Sequence, residues 1–348
     1  MSALFRQGLV VGKFSPLHRG HELLIRSALE QCEQVVIISY AKPEFDGCAA
    51  DQREQWLTAL FPSVRALVVT DERLLSWFPD RSVSVPDDDE PETVHRLFVG
   101  FLCRELLDST VDAVFTSEEY GDGFAAELTG FFNRYSPGTA QVTHVLIDRE
   151  RSRVPVSGTM VRADVHGCRE LLSPQVYASF VKRICLLGGE STGKTTLAEA
   201  LAEHFETVMV PEYGRELWIT KNGLPGFEDM CAIAERQVEM EDVAIRNATR
   251  CLFCDTSPLT TLLYCRYLFN RNDEVLEQLA ERPYDLYVLC CPDIAFMQDG
   301  TRQESGFREY QHAWYREQLA QRGIPWLEVS GSVAERVKLV ATAIITLK

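Results

Sequence analysis

Short apolar runs alternate with helix-like patterns along almost the whole sequence. In the first half, the apolar runs predict strands at 9–11, 34–40, 65–70, 112–116 and 141–147. Between them lie helical patterns, for example 21–31, 51–60 and 92–107. This alternation is typical of parallel sheets, because neighbouring parallel strands need a crossover connection that is usually a helix. The first half is therefore predicted to be an α/β domain.

The alternation pauses near 165–180 and then restarts. The second half predicts strands at 183–188, 207–210, 251–254, 286–290 and 326–329. A chain of 348 residues is also too long for a single hydrophobic core in most proteins. We therefore predict two α/β domains, each a mainly parallel sheet flanked by helices. Their predicted bounds are 1–170 and 181–348, with a linker at about 171–180.

The composition argues against several classes of protein. The formal net charge is −16, which disfavours a broad surface for DNA or RNA. No apolar run approaches the roughly 18 residues of a membrane span, and no basic segment before an apolar core marks a signal peptide. The 11 scattered cysteines are typical of a reducing compartment, so we expect a cytoplasmic protein. Cys251 and Cys254 are interpreted as packing residues of a strand. The oligomeric state stays open, a homo-oligomer included.

The segment 188–196, GGESTGKTT, is a complete Walker A pattern between a predicted strand and a predicted helix. Its glycines let the backbone curl around a phosphate, and the amides at the helix start supply donors and partial positive charge. Lys194 is predicted to reach the β- and γ-phosphates of ATP, and Thr195 to hold Mg²⁺. The predicted nucleotide-binding residues are Gly188, Gly189, Glu190, Ser191, Thr192, Gly193, Lys194, Thr195 and Thr196.

Further residues fit phosphoryl transfer. Asp255 ends an apolar strand, where a carboxylate that binds Mg²⁺ together with Thr195 is expected. Glu212 follows another strand and is either the base for an attacking hydroxyl or an exposed residue at a helix start; whether Glu212 or Asp255 is the base stays open. Arg302 and Arg308 lie in a polar loop, 298–309, which is either a lid over the phosphates or a solvated loop. No guanine-reading NKxD motif is present, which disfavours a GTPase.

A second phosphate device is predicted at 12–21, GKFSPLHRGH. Its two histidines stand at the start of a helix, where imidazoles can donate hydrogen bonds to a triphosphate. The segment resembles the GxFxPxHxGH signature of the HxGH nucleotidyltransferases, and the SxTxxR element of that family is present at 157–162. The residues assigned to this ATP site are Gly12, Lys13, Phe14, His18, Gly20, His21, Ser157, Thr159 and Arg162. This resemblance implies attack on the α-phosphate of ATP and release of pyrophosphate, without a covalent enzyme intermediate.

A nucleotidyltransferase domain followed by a P-loop kinase resembles the NadR family over essentially the whole chain. TSEEYGDGFA at 116–125 and PEYGREL at 211–217 extend the likeness. The resemblance implies a bifunctional transferase in NAD salvage. The second domain would phosphorylate ribosylnicotinamide with ATP and Mg²⁺, and the first would adenylylate the resulting nicotinamide mononucleotide to NAD. Longer relatives carry an N-terminal helix–turn–helix, for which a first strand beginning by about residue 8 leaves no room.

The same resemblance implies substrate contacts. Glu119, Tyr120 and Asp122 would line a nicotinamide pocket, and Tyr213 and Trp218 would contact the kinase substrate. Trp218 is equally well interpreted as a core residue. Two other functions stay open: the same build acting on another nucleotide or on a pantetheine phosphate, and an NAD-sensing regulator with weak activity. The intact phosphate motifs favour an enzyme over a regulator.

Overall fold

Each half of the chain folds around its own parallel sheet. The computed structural model describes residues 3–223, 225–271, 273–297 and 305–347. It divides into two compact units, Met1–Ser179 and Phe180–Lys348. The predicted fold class, two parallel sheets flanked by helices, is confirmed. Across the described ranges, no helix is both long and apolar enough to cross a bilayer.

The first unit contains a five-stranded sheet in the order β3-β2-β1-β4-β5, with all pairs parallel. Its strands are β1 (Phe5–Gly12), β2 (Cys32–Ser39), β3 (Arg65–Val68), β4 (Ala113–Thr116) and β5 (Thr143–Leu146). Its helices are α1 (Arg19–Gln31), α2 (Ala50–Leu60), α3 (Asp71–Trp77), α4 (Glu92–Glu105), α5 (Gly121–Tyr135), α6 (Gly158–Ala163) and α7 (Pro174–Tyr177).

Strand β1 is the centre of this sheet, because it pairs with β2 on one edge and with β4 on the other. Leu9 of β1 is fully buried in a core cluster with Val36 and Val114 of the neighbouring strands and with residues of α4 and α5. The strand order reverses direction at β1. Ligands of open α/β sheets bind at the carboxyl ends of the strands beside such a reversal. The loops that follow Gly12 and Thr116 therefore occupy the position expected for a binding site.

The second unit repeats this architecture with the order β10-β9-β6-β8-β7, again all parallel. Its strands are β6 (Lys182–Gly188), β7 (Met209–Val210), β8 (Cys251–Asp255), β9 (Leu286–Cys290) and β10 (Trp326–Val329). Its helices are α8 (Lys194–His204), α9 (Tyr213–Lys221), α10 (Asp229–Ala244), α11 (Pro258–Phe269), α12 (Glu274–Ala280), α13 (Ser305–Arg322) and α14 (Val333–Thr346).

Strand β6 lies between β8 and β9 and leads directly into the Walker A segment. Ile184 and Leu186 of β6 are fully buried in one core cluster with Phe253 of β8 and Val288 of β9. Cys251 and Cys254 are buried in β8, in agreement with their interpretation as packing residues. The Walker A segment thus begins at the carboxyl end of a strand whose last five residues are buried.

The segment expected to be a linker, 171–180, is mostly part of the first unit. It contains helix α7, in which Val176 is fully buried and Tyr177 nearly so. Trp56 of α2 donates a hydrogen bond from Nε1 to Oγ of Ser179 at 2.9 Å. Because this segment packs against its own unit, the first unit ends at Ser179 rather than at 170.

Candidate active sites

The first candidate site is a cleft at the carboxyl end of β1, of about 960 Å³ up to its open mouth. The 12–21 and 157–162 motifs, more than a hundred residues apart in sequence, both line it. Its polar and glycine lining comprises Lys13, Ser15, His18, Gly20, His21, Ser117, Glu118, Asp148, Arg151, Ser157, Gly158, Thr159 and Arg162, with Phe14 beneath. Gly12, also predicted here, lines the adjacent cleft instead. The structure therefore brings the two motifs to one place.

His18 and His21 form the start of helix α1. His18 is the N-cap: its Nδ1 accepts from the backbone N–H of His21 at 3.3 Å, and the N–H of His18 donates to Nδ1 of His21 at 3.4 Å. The two rings stack, with centroids 3.7 Å apart and planes 13° apart. Because Nδ1 of His18 is an acceptor, the neutral ring carries its proton on Nε2 and can donate from there.

Both imidazoles are neutral at physiological pH. Burial lowers the pKa of His18 to about 4, with a further contribution from the charge of Arg151. Burial also lowers the pKa of His21 well below its usual value. Gly20 is required beside them, because an added Cβ would lie 2.9 Å from Cγ1 of Val156 and 3.2 Å from ring atoms of His18. The histidines are thus fixed hydrogen-bond donors rather than cations.

Arg162 links the second motif to the first. Its Nη1 donates to the carbonyl oxygen of Ser15 at 2.6 Å, and its Nη2 donates to Oγ1 of Thr159 at 3.2 Å. The guanidinium lies over the ring of Phe45, 4.0 Å from its centroid. Ser157 is the N-cap of α6 and accepts from the N–H of Met160 at 3.2 Å. The guanidinium is therefore held at the cleft while it stays solvent-exposed and available to a phosphate.

Sequence reasoning missed Arg151, which lines the same cleft. Its Nη2 lies 3.3 Å from Oε1 of Glu118, in the loop after β4. The loop that carries it is shaped by Asp148, whose carboxylate accepts from the N–H groups of Arg153 and Val154 at 3.1 and 3.2 Å. The signal available in the sequence was the basic run at 149–153, immediately before the SxTxxR element.

A second cleft adjoins the first and shares Lys13 and Glu118 with it. Its aromatic lining is Tyr40, His95, Tyr120 and Phe124. Lys13 forms an ion pair of 2.6 Å with Asp88 at this junction.

The three residues predicted to line a nicotinamide pocket lie in different places. Tyr120 lines the second cleft. Glu119 instead forms an ion pair with Arg149 at the surface. Oδ1 of Asp122 lies 2.8 Å from Nδ1 of His144, and the side chain of Asp122 is 90% exposed. The structure therefore brings one of the three predicted residues into a cleft.

The second candidate site surrounds the Walker A loop. Gly188 and Gly193 have φ angles of +144° and +81°, which side-chain-bearing residues rarely adopt. An added Cβ at Gly188 would also lie 2.8 Å from the carbonyl oxygen of Cys290. Nζ of Lys194 donates to the carbonyl oxygens of Gly188 and Gly189, each at 3.0 Å. The side chain of Lys194 thus folds back over the Walker A loop. A phosphate bound in the loop would meet its positive charge.

The Walker A loop is braced by polar side chains. The N–H of Glu190 donates to Oε1 of Gln311 at 2.8 Å, and the carboxylate of Glu190 accepts from the hydroxyl of Tyr264 at 2.8 Å. Oγ1 of Thr192 donates to the carbonyl oxygen of Gly189 at 2.8 Å. Gln311 and Tyr264, which the sequence analysis did not single out, thus hold Glu190 in place within the loop.

Three of the other predicted loop residues, Ser191, Thr195 and Thr196, are less buried than Glu190 and Thr192. Oγ of Ser191 accepts from the N–H of Met297 at 2.9 Å. Thr195 and Thr196 are exposed in the first turn of α8. Gly189 approaches Arg308 so closely that an added Cβ would lie 2.7 Å from Cγ of that arginine.

Thr195 and Asp255 lie together, as expected for a magnesium site. Oγ1 of Thr195 donates to Oδ2 of Asp255 at 2.5 Å. Oδ1 of Asp255 is buried, and within the described ranges no donor reaches it. A buried carboxylate oxygen without a partner is unfavourable unless a cation or water satisfies it. The hydroxyl and the carboxylate therefore fit Mg²⁺, which prefers oxygen ligands.

A cavity of about 950 Å³ up to its mouth extends from the Walker A loop between α9, α10 and α11. Its lining includes Glu190, Lys194, Glu212, Trp218, Gln237, Thr260, Tyr264 and Gln311. Trp218 is partly exposed into this space and is not a core residue. Tyr213 does not line it; its backbone N–H donates to Oε1 of Gln237 at 3.0 Å.

Glu212 is the N-cap residue of α9 but makes no side-chain cap bond. Its half-buried carboxylate lines the cavity. Loss of water raises the pKa of Glu212, and the charge of Asp255 adds to this, while Lys194 opposes it. Of the two interpretations of Glu212, the geometry favours a residue of the site over an exposed helix start.

The two arginines of the predicted lid have different outcomes. Arg302 lies outside the described residues. Arg308 lies in α13, where its Nη1 and Nη2 donate to the carbonyl oxygens of Ile294 and Pro292 at 2.8 and 3.2 Å. Arg308 packs behind Gly189 and does not line the cavity.

Comparisons with known proteins match both units. A model of the AAA domain matches residues 183–336. The trifunctional NAD biosynthesis/regulator protein NadR of Escherichia coli K12 is 27% identical over 311 residues, covering 85% of this chain and 71% of that protein.

Two solved NadR structures match almost the entire fold. The NadR complex with NR has a TM-score of 0.67 at 20% identity and covers 99% of this chain and 96% of its own. The NadR complex with NAD and AMP-PNP has a TM-score of 0.66 at 20% identity and covers 100% and 98%. The relative and both structures match across the two units rather than within one, so the chain is similar to NadR over most of its length.

Proposed function

We propose that this protein makes NAD from ribosylnicotinamide in two ATP-dependent steps. The second unit phosphorylates the nucleoside to nicotinamide mononucleotide, and the first unit adenylylates that product. The observation that carries the proposal is that one chain has two clefts lined by phosphate-binding motifs of different design. The names of the NadR relatives, which mention NAD biosynthesis, NR, NAD and AMP-PNP, support the choice of substrates.

In the kinase step, the 5′-oxygen of ribosylnicotinamide attacks the γ-phosphorus of ATP and ADP leaves. Glu212 takes the hydroxyl proton, and its raised pKa brings proton transfer nearer to neutral pH. Asp255 is less suited to this role because its Oδ2 already accepts from Thr195. Lys194 stabilises charge on the terminal phosphates. Thr195 and Asp255 would hold Mg²⁺, which supplies further neutralisation of the phosphates.

The charge of the cavity supports a cationic nucleoside. The pyridinium ring of ribosylnicotinamide is positively charged, unlike the bases of ordinary nucleosides. The carboxylates of Glu190 and Glu212 and the indole of Trp218 line the cavity. Carboxylates attract a cation in a partly desolvated site, and an indole face binds cations well.

In the adenylyl step, the 5′-phosphate of nicotinamide mononucleotide attacks the α-phosphorus of ATP and pyrophosphate leaves. His18 and His21 donate to the triphosphate as neutral imidazoles, and Arg162 and Arg151 add positive charge. The adjoining aromatic cleft at Tyr40 and Tyr120 offers space for the second nucleotide beside the first. Positioning and charge stabilisation account for this chemistry without an enzyme nucleophile.

The proposal is tested by incubating the protein with ATP, Mg²⁺ and ribosylnicotinamide and identifying products by mass spectrometry. We expect ADP and nicotinamide mononucleotide, followed by pyrophosphate and NAD. Uridine, whose base is uncharged, is the matched control nucleoside and is expected to be a poor substrate. Phosphopantetheine is the control for the adenylyl step.

Other outcomes would replace the proposal. Efficient phosphorylation of uridine would remove the argument from charge, and transfer to phosphopantetheine would assign the first unit another substrate. Tight NAD binding without any product would favour a regulator over an enzyme.

A further inference from the structure

Three side chains with metal-ligating atoms meet in the second unit, and none of them lines the Walker A cavity. Cys291 directly follows β9, Glu328 lies in β10, and His312 lies in α13. Sγ of Cys291, an imidazole nitrogen of His312 and a carboxylate oxygen of Glu328 all lie within 4.8 Å of one another. We call this group the Cys291–His312–Glu328 cluster.

The fold holds the cluster on regular structure. The backbone N–H of Cys291 donates to the carbonyl oxygen of Val329 at 3.0 Å, which continues the β9–β10 ladder past the end of β9. Helix α13, which carries His312, packs against β9 and β6. Ligands carried by strands and helices are placed more precisely than ligands on loops.

The separation of His312 and Glu328 is that of two ligands of one metal ion. Nε2 of His312 lies 3.2 Å from Oε1 of Glu328. Zinc bonds of about 2.0–2.1 Å at a tetrahedral angle place a nitrogen and an oxygen ligand at a similar separation. The side chains of His312 and Glu328 are 15% and 32% exposed, so an ion can enter from solvent.

We propose that the Cys291–His312–Glu328 cluster is a zinc-binding site. A thiolate, an imidazole and a carboxylate together suit Zn²⁺, whereas Mg²⁺ and Ca²⁺ prefer sites made of oxygen atoms alone. The thiolate and carboxylate balance the charge of the ion. Three protein ligands leave the fourth tetrahedral position to water.

Two neighbouring features limit the affinity. Nε of Arg316 lies 3.3 Å from Oε1 of Glu328, so a guanidinium neutralises this carboxylate and competes with the metal. Nδ1 of His312 is buried, and no acceptor in the described part of the chain reaches it. Metal-bound imidazoles are usually oriented by such an acceptor, whose loss weakens binding. The site is therefore expected to exchange its zinc rather than to keep it permanently.

Zinc binding would stabilise the Walker A loop through residues adjacent to the cluster. Gln311, the neighbour of His312 in α13, accepts the hydrogen bond from the N–H of Glu190. Cys290, the neighbour of Cys291, has its carbonyl oxygen against Gly188. An ion that joins α13 to β9 and β10 would fix both Gln311 and Cys290, which contact the loop. Zinc is accordingly expected to raise the thermal unfolding midpoint of the protein.

The test uses the whole chain, reduced and freed of metal with EDTA, with excess Mg²⁺ to occupy the phosphate sites. Equilibrium dialysis is expected to show that zinc binding is at least tenfold weaker in Cys291→Ser and in Glu328→Gln than in the parent. Cys231→Ser is the matched control, because Cys231 is also a partly buried thiol of this unit but lies outside the cluster. Circular dichroism in EDTA checks that each variant is folded.

Cobalt(II) identifies the ligand type. The parent and Cys231→Ser are expected to show the charge-transfer absorption of a cobalt–thiolate bond, and Cys291→Ser is expected to lose it. Parent protein that binds no zinc would overturn the proposal. A cobalt–thiolate band that survives in Cys291→Ser, or zinc binding unchanged in both cluster variants, would overturn it as well. If Cys291→Ser does not fold, the dialysis of Glu328→Gln decides.

Discussion

Arg336, near the end of the chain, holds the Walker A loop through the carbonyl oxygen of Thr192. Its Nη1 donates to that oxygen at 2.7 Å, across 144 positions of sequence. Its Nε donates to the carbonyl oxygen of Gly331 at 3.0 Å, and its Nη2 pairs with Asp293. Arg336 is 2% exposed, so these hydrogen bonds form away from water. Helix α14 thereby fixes a loop at the opposite end of the second unit's sequence.

Arg336→Gln should impair both stability and the kinase reaction. Losing hydrogen bonds from a buried charged donor is expected to lower the free energy of unfolding by about 1.5–3 kcal/mol. Kinase turnover should fall with it, and adenylyl transfer should not. Arg322→Gln is the control, because Arg322 also donates to a buried carbonyl, that of Ala280, but does not touch the loop. Urea unfolding and both half-reactions are measured; equal kinase losses in the two variants would refute the role of Arg336.

His18→Ala should abolish adenylyl transfer and spare the kinase. Removing one fixed donor from a developing phosphate charge typically lowers the rate by about 10²- to 10³-fold, or about 2.7–4 kcal/mol. His21→Ala should have a similar effect, and the double variant should lose less than the sum because the rings stack and share hydrogen bonds. The rate with nicotinamide mononucleotide and ATP is the measurement; activity within tenfold of the parent would remove the histidine from the site.

His18→Asn separates catalysis from helix capping. His18 caps α1, so His18→Ala also removes a cap worth about 0.5–2 kcal/mol of stability. Asparagine is a preferred N-cap but cannot replace the Nε2 donor. His18→Asn should therefore be as stable as the parent in urea and as inactive as His18→Ala. Recovery of activity in His18→Asn would show that the cap, and not the imidazole, is what the reaction needs.

Lys194→Ala should stop phosphorylation of ribosylnicotinamide, because the cation for the terminal phosphates is lost. Adenylyl transfer should continue, because the first unit has its own sheet and its own core cluster. Product formation from each starting compound measures this. Loss of adenylyl transfer in a folded Lys194→Ala protein would contradict two independent sites.

Mixing Lys194→Ala with His18→Ala should restore the conversion of ribosylnicotinamide to NAD. The intermediate, nicotinamide mononucleotide, is small and diffusible, so it can pass from one variant chain to the other. The rate of NAD formation in the mixture is compared with that of each variant alone. A mixture that makes no NAD, although each variant retains its remaining half-reaction, would mean that the intermediate passes within one chain.

The neutral histidines make the first unit sensitive to acid. The pKa of His18 is about 4 in the folded protein and 6.5 in the unfolded chain, so the unfolded state binds the proton first as the pH falls. Stability is therefore unaffected above about pH 6.5 and decreases from there towards pH 4. The loss due to His18 should be about 2 kcal/mol by pH 5, and the lowered pKa of His21 adds to it. Urea unfolding at pH 7.5 and 5 should show a smaller difference for His18→Asn; an equal difference would contradict the buried neutral state.

The sequence predicts the local features well, because their residues are consecutive. The strand predicted at 286–290 is observed at Leu286–Cys290. The strand predicted at 9–11 is longer, Phe5–Gly12, because it includes Gln7, a polar residue that is nevertheless buried. The N–H of Gln7 donates to Oδ2 of Asp112 at 2.9 Å, and its Oε1 accepts from Ser109 at 2.8 Å. Such partners satisfy a buried amide only after the sheet has formed.

Features that depend on distant residues could not be read in advance. The contact of Arg151 with Glu118 and that of Arg336 with Thr192 join segments that no spacing rule connects. Helix α7 was mistaken for a linker because its four residues, Pro174–Tyr177, are too few to show a helical period. Its burial depends on a surface that the rest of the first unit provides.

The hydrogen bond from Arg162 to the carbonyl oxygen of Ser15 spans 147 positions of sequence. On the ribosome, both histidines emerge long before this arginine does. Strand β1 must also wait for β4, Ala113–Thr116, to cover its second edge. The nascent chain therefore carries the histidines on an unfinished sheet for most of the synthesis of the first unit. The cleft around the histidines is completed when the last part of that unit is made, so a prematurely terminated chain would keep the histidines but lack Arg162.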